Sequence, residues 1–127
     1  MKPSSAAPDR LRTGRRGEAL ARRALEREGY VIEAANARVP GGELDLVAWD
    51  GPVLCFIEIR STSSDEWGGP LETIRWPKQR RLIRAAHWYL AGLSELPEQT
   101  RFDVVAVVWE ASGAPRVELI RGAFETS

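Results

Sequence analysis

The chain predicts a mixed α/β domain of the α+β type, with a central mixed five-stranded sheet flanked by helices. Three observations carry this. Helical and extended patterns follow in the order helix, three strands, helix, two strands. Asp50-Gly51-Pro52 joins two apolar runs and reads as a hairpin turn. The 127 residues are 43% hydrophobic and 28% charged, an ordinary globular balance that suits one domain with a sizeable core.

Each element has its own signal. Residues 1–9 are rich in Ser, Ala and Pro and are expected to form a flexible tail before a single domain over 10–127. Thr13 is placed to cap a helix that runs to Glu28 and stops at Gly29. Leu20, Ala21, Ala24 and Leu25 form its apolar stripe. Residues 30–37, 43–49 and 53–60 read as strands. STSSDEWGGP, residues 61–70, reads as a mobile loop. Pro77 suits the first turn of a second helix over 77–92. RFDVVAVVWE, 101–110, is a fourth strand, and 115–121 a fifth. The start, MKPSSAAPDR, has no apolar stretch, so no signal peptide is expected, and no run approaches the ~18 apolar residues of a membrane span. The single Cys55 sits in an apolar strand and reads as a buried structural thiol; a lone cysteine fits a reducing, cytoplasmic setting.

Net charge is zero, but the charges are segregated. Residues 1–30 hold eight bases and four acids, 31–72 two bases and eight acids, and 73–94 five bases and no acid. A neutral total can therefore hide a basic surface beside an acidic pocket. Three of the acids, Glu43, Asp45 and Glu58, lie in the most apolar part of the chain, GGELDLVAWDGPVLCFIEIR. Carboxylates rarely go inside without a partner. Asp45 and Glu58 meet if odd positions on one strand pair with even positions on the other. A two-residue turn at Asp50-Gly51 or a four-residue turn at 50–53 gives that register, whereas a three-residue turn puts the acids on opposite faces. If they meet, their repulsion gives a divalent cation a purpose, since Mg²⁺ takes one or two carboxylates along with waters and phosphate oxygens. Otherwise the acids lie on a wet face of the sheet. On the first helix, Glu18 lies beside the core-facing stripe, and a surface pairing with Arg15 or Arg22 is the alternative.

GRRGEALARRALEREGY, GGELDLVAWD, VLCFIEIR, PKQRRLIRAAHWYL, RFDVVAV and GAF, spread over residues 14–124, resemble the YraN-like bacterial family, itself similar to archaeal Holliday-junction resolvases and other PD-(D/E)xK nucleases. The resemblance implies a restriction-endonuclease-like core and a metal-dependent endonuclease-like activity on DNA, with Mg²⁺ or Mn²⁺ as cofactor. It supports the odd-even register. It implies a helix glutamate at Glu18, metal ligands at Asp45 and Glu58, and a lysine two residues after Glu58. Here that residue is Arg60. Arginine holds a phosphate oxygen well but can hardly act as a base, its pKa being above ~12. The site is therefore active with Arg60, or it keeps phosphate binding without catalysis, or another lysine has taken over. Lys78, in the first turn of the second helix beside its apolar face, is the candidate. Junction-cutting relatives imply a homodimer.

The substrate follows from the arginines. Arg15 and Arg22 on the first helix, and Arg80, Arg81 and Arg84 on the second, are either solvated surface or contacts to a phosphate backbone. Such contacts position a nucleic acid without reading its sequence. Nothing resembles a recognition helix, which favours a reader of shape: a branch, a flap or an end. Trp67 and Trp76 flank the expected loop and serve either to stack on an unpaired base or to pack over the sheet edge.

Overall fold

The structure is a computed structural model that describes residues 6–63 and 74–125, with backbone alone for 6–13. Helix α1 spans Ala6–Arg27 and is followed by strands β1 (Val31–Val39), β2 (Gly42–Asp50) and β3 (Val53–Ser63). Helix α2 (Trp76–Ala91) leads to β4 (Gln99–Trp109) and β5 (Arg116–Phe124). The five strands form one mixed sheet in sequence order: β3 and β4 pair in parallel and every other pair is antiparallel. This is the mixed α/β architecture expected, and it is consistent with a restriction-endonuclease-like core.

Parallel pairing of β3 and β4 needs a crossover, and α2 supplies it. The two helices cover opposite faces. Ala21 and Leu25 of α1 are fully buried against a face built from Leu46, Ala48, Cys55, Ile57, Val105 and Val107. Leu82, Ala85 and Ala86 of α2 pack on the other face, against Val47, Leu54, Phe56, Phe102 and Val104. β3 and β4 therefore alternate between two buried sides, which is why both read as unbroken apolar runs. Each fully buried Leu or Ile is worth roughly 1.5–3 kcal/mol relative to exposure.

Two expectations need correction. Thr13 does not cap α1, because the helix already begins at Ala6. Pro8 falls in its first turn, where the missing N–H costs no hydrogen bond. The helix thus takes in residues 6–9 of the expected tail, and residues 1–5 lie outside the described residues. At the other boundary, β3 runs on to Ser63, into the segment expected as a loop, while residues 64–73, with Trp67 among them, lie outside the described residues.

One strand over from Glu58, level with Ile57 and reaching Tyr30 on the α1 side of the sheet, is a buried charge. Asp103 is 1% exposed and accepts hydrogen bonds from Tyr30 Oη (2.7 Å), Arg101 Nε (2.8 Å), Arg101 Nη2 (2.9 Å) and the Gly122 backbone N–H (2.9 Å). Arg101 also donates to Asp50 at 2.7 Å, so Tyr30 between α1 and β1, the β2–β3 turn, β4 and β5 share one network. Burial alone would raise the Asp103 carboxyl, but Arg101, Gly122 N–H and Tyr30 together hold it below the usual carboxylate range.

Candidate metal and phosphodiester site

The hairpin of β2 and β3 decides where the acids go. Asp50 pairs with Val53 across Gly51-Pro52, and Gly51 has a positive φ of 61°, which a glycine adopts without strain. The register Trp49↔Leu54, Val47↔Phe56 and Leu46↔Ile57 is the odd-even one that a turn over 50–53 gives. One step further, Asp45 falls opposite Glu58.

The ladder ends at that step. Leu46↔Ile57 is the last paired position of the hairpin, while β3 continues beside β4 to Ser63. The Ile59 N–H donates to Asp45 Oδ2 at 2.9 Å. The aspartate thus stands in the opened hairpin as a backbone acceptor would. Its position comes from a local departure from strand geometry. Leu46 packs on the α1 face, yet Leu44, two residues away, packs on the α2 face. On β1, Asn36, between the partners of these leucines, has φ 51°. A left-handed residue there re-aims the neighbouring strand positions, and Asn tolerates it better than most side chains.

Asp45 consequently borders two hollows. One, of about 410 Å³, is lined by Gly14, Arg15, Gly17, Glu18, Asn36, Asp45, Ile59 and Ser61. The other, of about 120 Å³, includes Glu43, Asp45, Glu58, Lys78 and Arg81. Burial, and next the facing Glu58, push the Asp45 carboxyl up from 3.8 to about 6; the Ile59 N–H and the Lys78 ammonium pull the other way. Lys78 Nζ lies 2.9 Å from Glu58 Oε2, and the Glu58 side chain is 12% exposed. Pro77 starts α2 here without a side-chain cap or an acid in its first turn, and Lys78 of that turn brings the positive end of the helix near this pair.

The structure brings Asp45, Glu58 and Lys78 together. Glu18 enters the larger hollow but is engaged otherwise: Asn36 Nδ2 donates to it at 3.1 Å, and Arg22, four residues on, lies 3.6 Å away. Among the described residues no group of three or more His, Cys, Asp or Glu stands close enough to hold a metal. The acids that face each other are a pair, Asp45 and Glu58, with Glu43 lining the same hollow. A half-buried carboxylate raised by burial and by a facing acid could hold a divalent cation only if water and phosphate supplied the remaining ligands. Arg60 is half-buried two residues beyond Glu58, and Lys78 forms an ion pair with Glu58. Arg15 reaches the larger hollow and Arg81 the smaller, while Arg80 and Arg84 are exposed on α2. Asn36 was not singled out from sequence, although an Asn inside a strand pattern is a signal for a left-handed position.

The chain has relatives. Residues 17–107 match the family described as Uncharacterised protein family UPF0102, and that span holds Glu18, Asp45, Glu58, Lys78 and Asp103. The chain belongs to the UPF0102 family. A UPF0102 protein from Desulfosudis oleivorans is 41% identical over 93% of this chain and 94% of its own length. A UPF0102 protein from an Anaeromyxobacter species is 44% identical over 94% of this chain and 89% of its own. Another from Anaeromyxobacter dehalogenans is 46% identical over 88% and 83%. UPF0102 membership accounts for the YraN-like resemblance. No helix among the described residues is long and apolar enough to cross a membrane.

Proposed function

We propose that the protein is a metal-dependent, endonuclease-like phosphodiester hydrolase that acts on DNA, with branched or otherwise structured DNA as its substrate. The observation that carries this reading is the opened hairpin. Asp45 stands opposite Glu58 where the ladder has ended, and Lys78 reaches in from α2.

Asp45 and Glu58 would hold Mg²⁺ or Mn²⁺, which polarises a phosphate and lowers the pKa of a bound water. The Ile59 N–H keeps Asp45 oriented toward Glu58. Lys78 supplies positive charge beside Glu58, where a lysine two residues after that glutamate would otherwise act. Arg60 contributes charge but not proton transfer. Arg15, Arg80, Arg81 and Arg84 would hold the phosphate backbone, which accounts for the lack of acids over 73–94. Arg22 acts through Glu18, its partner on the helix. Two copies, one for each cut strand of a junction, form the expected assembly.

The test uses labelled junctions, flaps and single strands with purified protein and Mg²⁺ or Mn²⁺. Wild type is expected to cut, and Asp45→Ala and Lys78→Ala to cut at least a hundredfold more slowly. No cleavage by wild type, or equal cleavage by Asp45→Ala, ends the enzymatic reading.

A second reading, a nucleic-acid-binding module without catalysis, is favoured by one observation. The Lys78–Glu58 pair already balances charge in the pocket without a metal. It predicts salt-sensitive DNA binding that persists in EDTA, and no cleavage on Arg60→Lys.

A further inference from the structure

The outer face of α2 combines two features that surfaces seldom keep together. Trp76 is 62% exposed and Trp88 50% exposed, both large apolar rings left in water. Between them, at successive intervals of four residues, stand the exposed Arg80 and Arg84. Residues four apart are neighbours on a helix, so Trp76, Arg80, Arg84 and Trp88 form one inclined row. Twelve residues at 1.5 Å each give the row a length of about 18 Å. Arg81, which neighbours Arg84 and Trp88 at offsets of three and seven, lines the hollow that contains Asp45, Glu58 and Lys78. The row is thus continuous with the carboxylate site.

Its chemistry selects the occupant. Helix α2 carries Lys78, Arg80, Arg81 and Arg84 and no acid, which suits a polyanion. Buried duplex bases present no ring face to a tryptophan, whereas unpaired bases do. Arginines between two ring platforms match a strand whose phosphates and bases alternate.

We propose that the Trp76–Arg80–Arg84–Trp88 row is a track for single-stranded DNA, which leads an unpaired segment of the substrate to the Asp45–Glu58 pocket. The inference deepens the proposed function and rests on it only for the fate of the strand, since binding to the track needs neither metal nor cleavage. The protein therefore prefers substrates with unpaired nucleotides beside the scissile phosphate over continuous duplex.

The experiment measures binding of a fluorescent oligothymidylate of about fifteen nucleotides in EDTA by anisotropy, beside a blunt duplex and an oligouridylate of equal length. Wild type is expected to bind the oligothymidylate more tightly than the duplex. Trp76→Ala and Trp88→Ala should each weaken that binding about tenfold, with Trp→Phe retaining most of it. Arg80→Glu with Arg84→Glu should weaken both ligands and flatten the salt dependence. All four side chains are exposed, and thermal melts are expected to match wild type. Unchanged affinity in both tryptophan variants, or a preference for duplex, overturns the track. So does tighter binding of oligouridylate, which would assign the row to RNA, or a change of oligomeric state in Trp76→Ala or Trp88→Ala, which would assign it to self-association. Strand binding without cleavage on any substrate would leave the track standing and end the nuclease reading; cleavage unaffected by the tryptophans would do the reverse.

Discussion

Asp45 holds a position that is unfavourable for a carboxylate unless something compensates it. Its folded pKa lies above the unfolded one, about 6 against 3.8, so the folded state binds the proton more tightly. The groups facing it are Glu58, the Ile59 N–H and Lys78, and its raised value means that burial and Glu58 prevail. Stability therefore falls as pH rises from about 4 to about 6 and stays reduced above that. The gap corresponds to at most about 3 kcal/mol. In EDTA, Asp45→Asn is expected to be more stable than wild type at pH 7.5, with the difference vanishing near pH 4; urea midpoints at the two values check this. Mg²⁺ should raise the wild-type melting temperature at pH 7.5 and leave that of Asp45→Asn unmoved. A variant no more stable than wild type at pH 7.5 would mean that the acid pair is not in conflict.

At the scale of elements, the bend in β1 and β2 sets the site. Asn36 is the only described non-glycine residue with positive φ. Asn36→Ala should destabilise the fold by about 1–2 kcal/mol, while Asn36→Gly keeps the backbone and loses only the bond to Glu18. Chemical denaturation of both variants distinguishes conformational from hydrogen-bonding costs. This bend also marks where sequence reading stops. Periodicity and turn residues locate all five strands and both helices, because alternation and turn chemistry are local signals. The Asp50-Gly51-Pro52 turn leaves the Asp45–Glu58 register open between loop lengths, and only the family resemblance favours the odd-even one that the hairpin adopts. Alternation would put Leu44 and Leu46 on one face, and the structure separates them. The early start of α1 was hidden by a Ser-, Ala- and Pro-rich beginning that resembles a tail. Exposure of Trp76 and Trp88 could not be read either, because a tryptophan at helical spacing is equally at home in a core. That Lys78 borders the apolar face was legible from its helical offsets; that it meets Glu58 depends on how α2 lies across the sheet, which no local pattern encodes.

For the molecule as a whole, the Asp103 network joins distant parts of the chain: residue 30, the turn at 50, and positions 101 and 122. Removing its centre leaves Arg101 and Tyr30 without their buried acceptor. Asp103→Ala is expected to cost about 3–5 kcal/mol, and Tyr30→Phe about 1 kcal/mol, measured by urea unfolding. The Asp103 carboxyl is held below its ordinary value, so its contribution is present above that value and is lost as pH falls through the folded one. Asp103→Asn should therefore lack that component of acid unfolding. The fastening of α2 has a different consequence. Two acids of the sheet hold this helix, Glu58 through Lys78 near its start and Glu33 through Tyr89 near its end. An ion that draws Glu58 toward Asp45 competes with Lys78 and loosens the first tether while the second stays tied. The crossover helix would then pivot about its far end, and filling a pocket on one side of the sheet would be felt along an entire outer face.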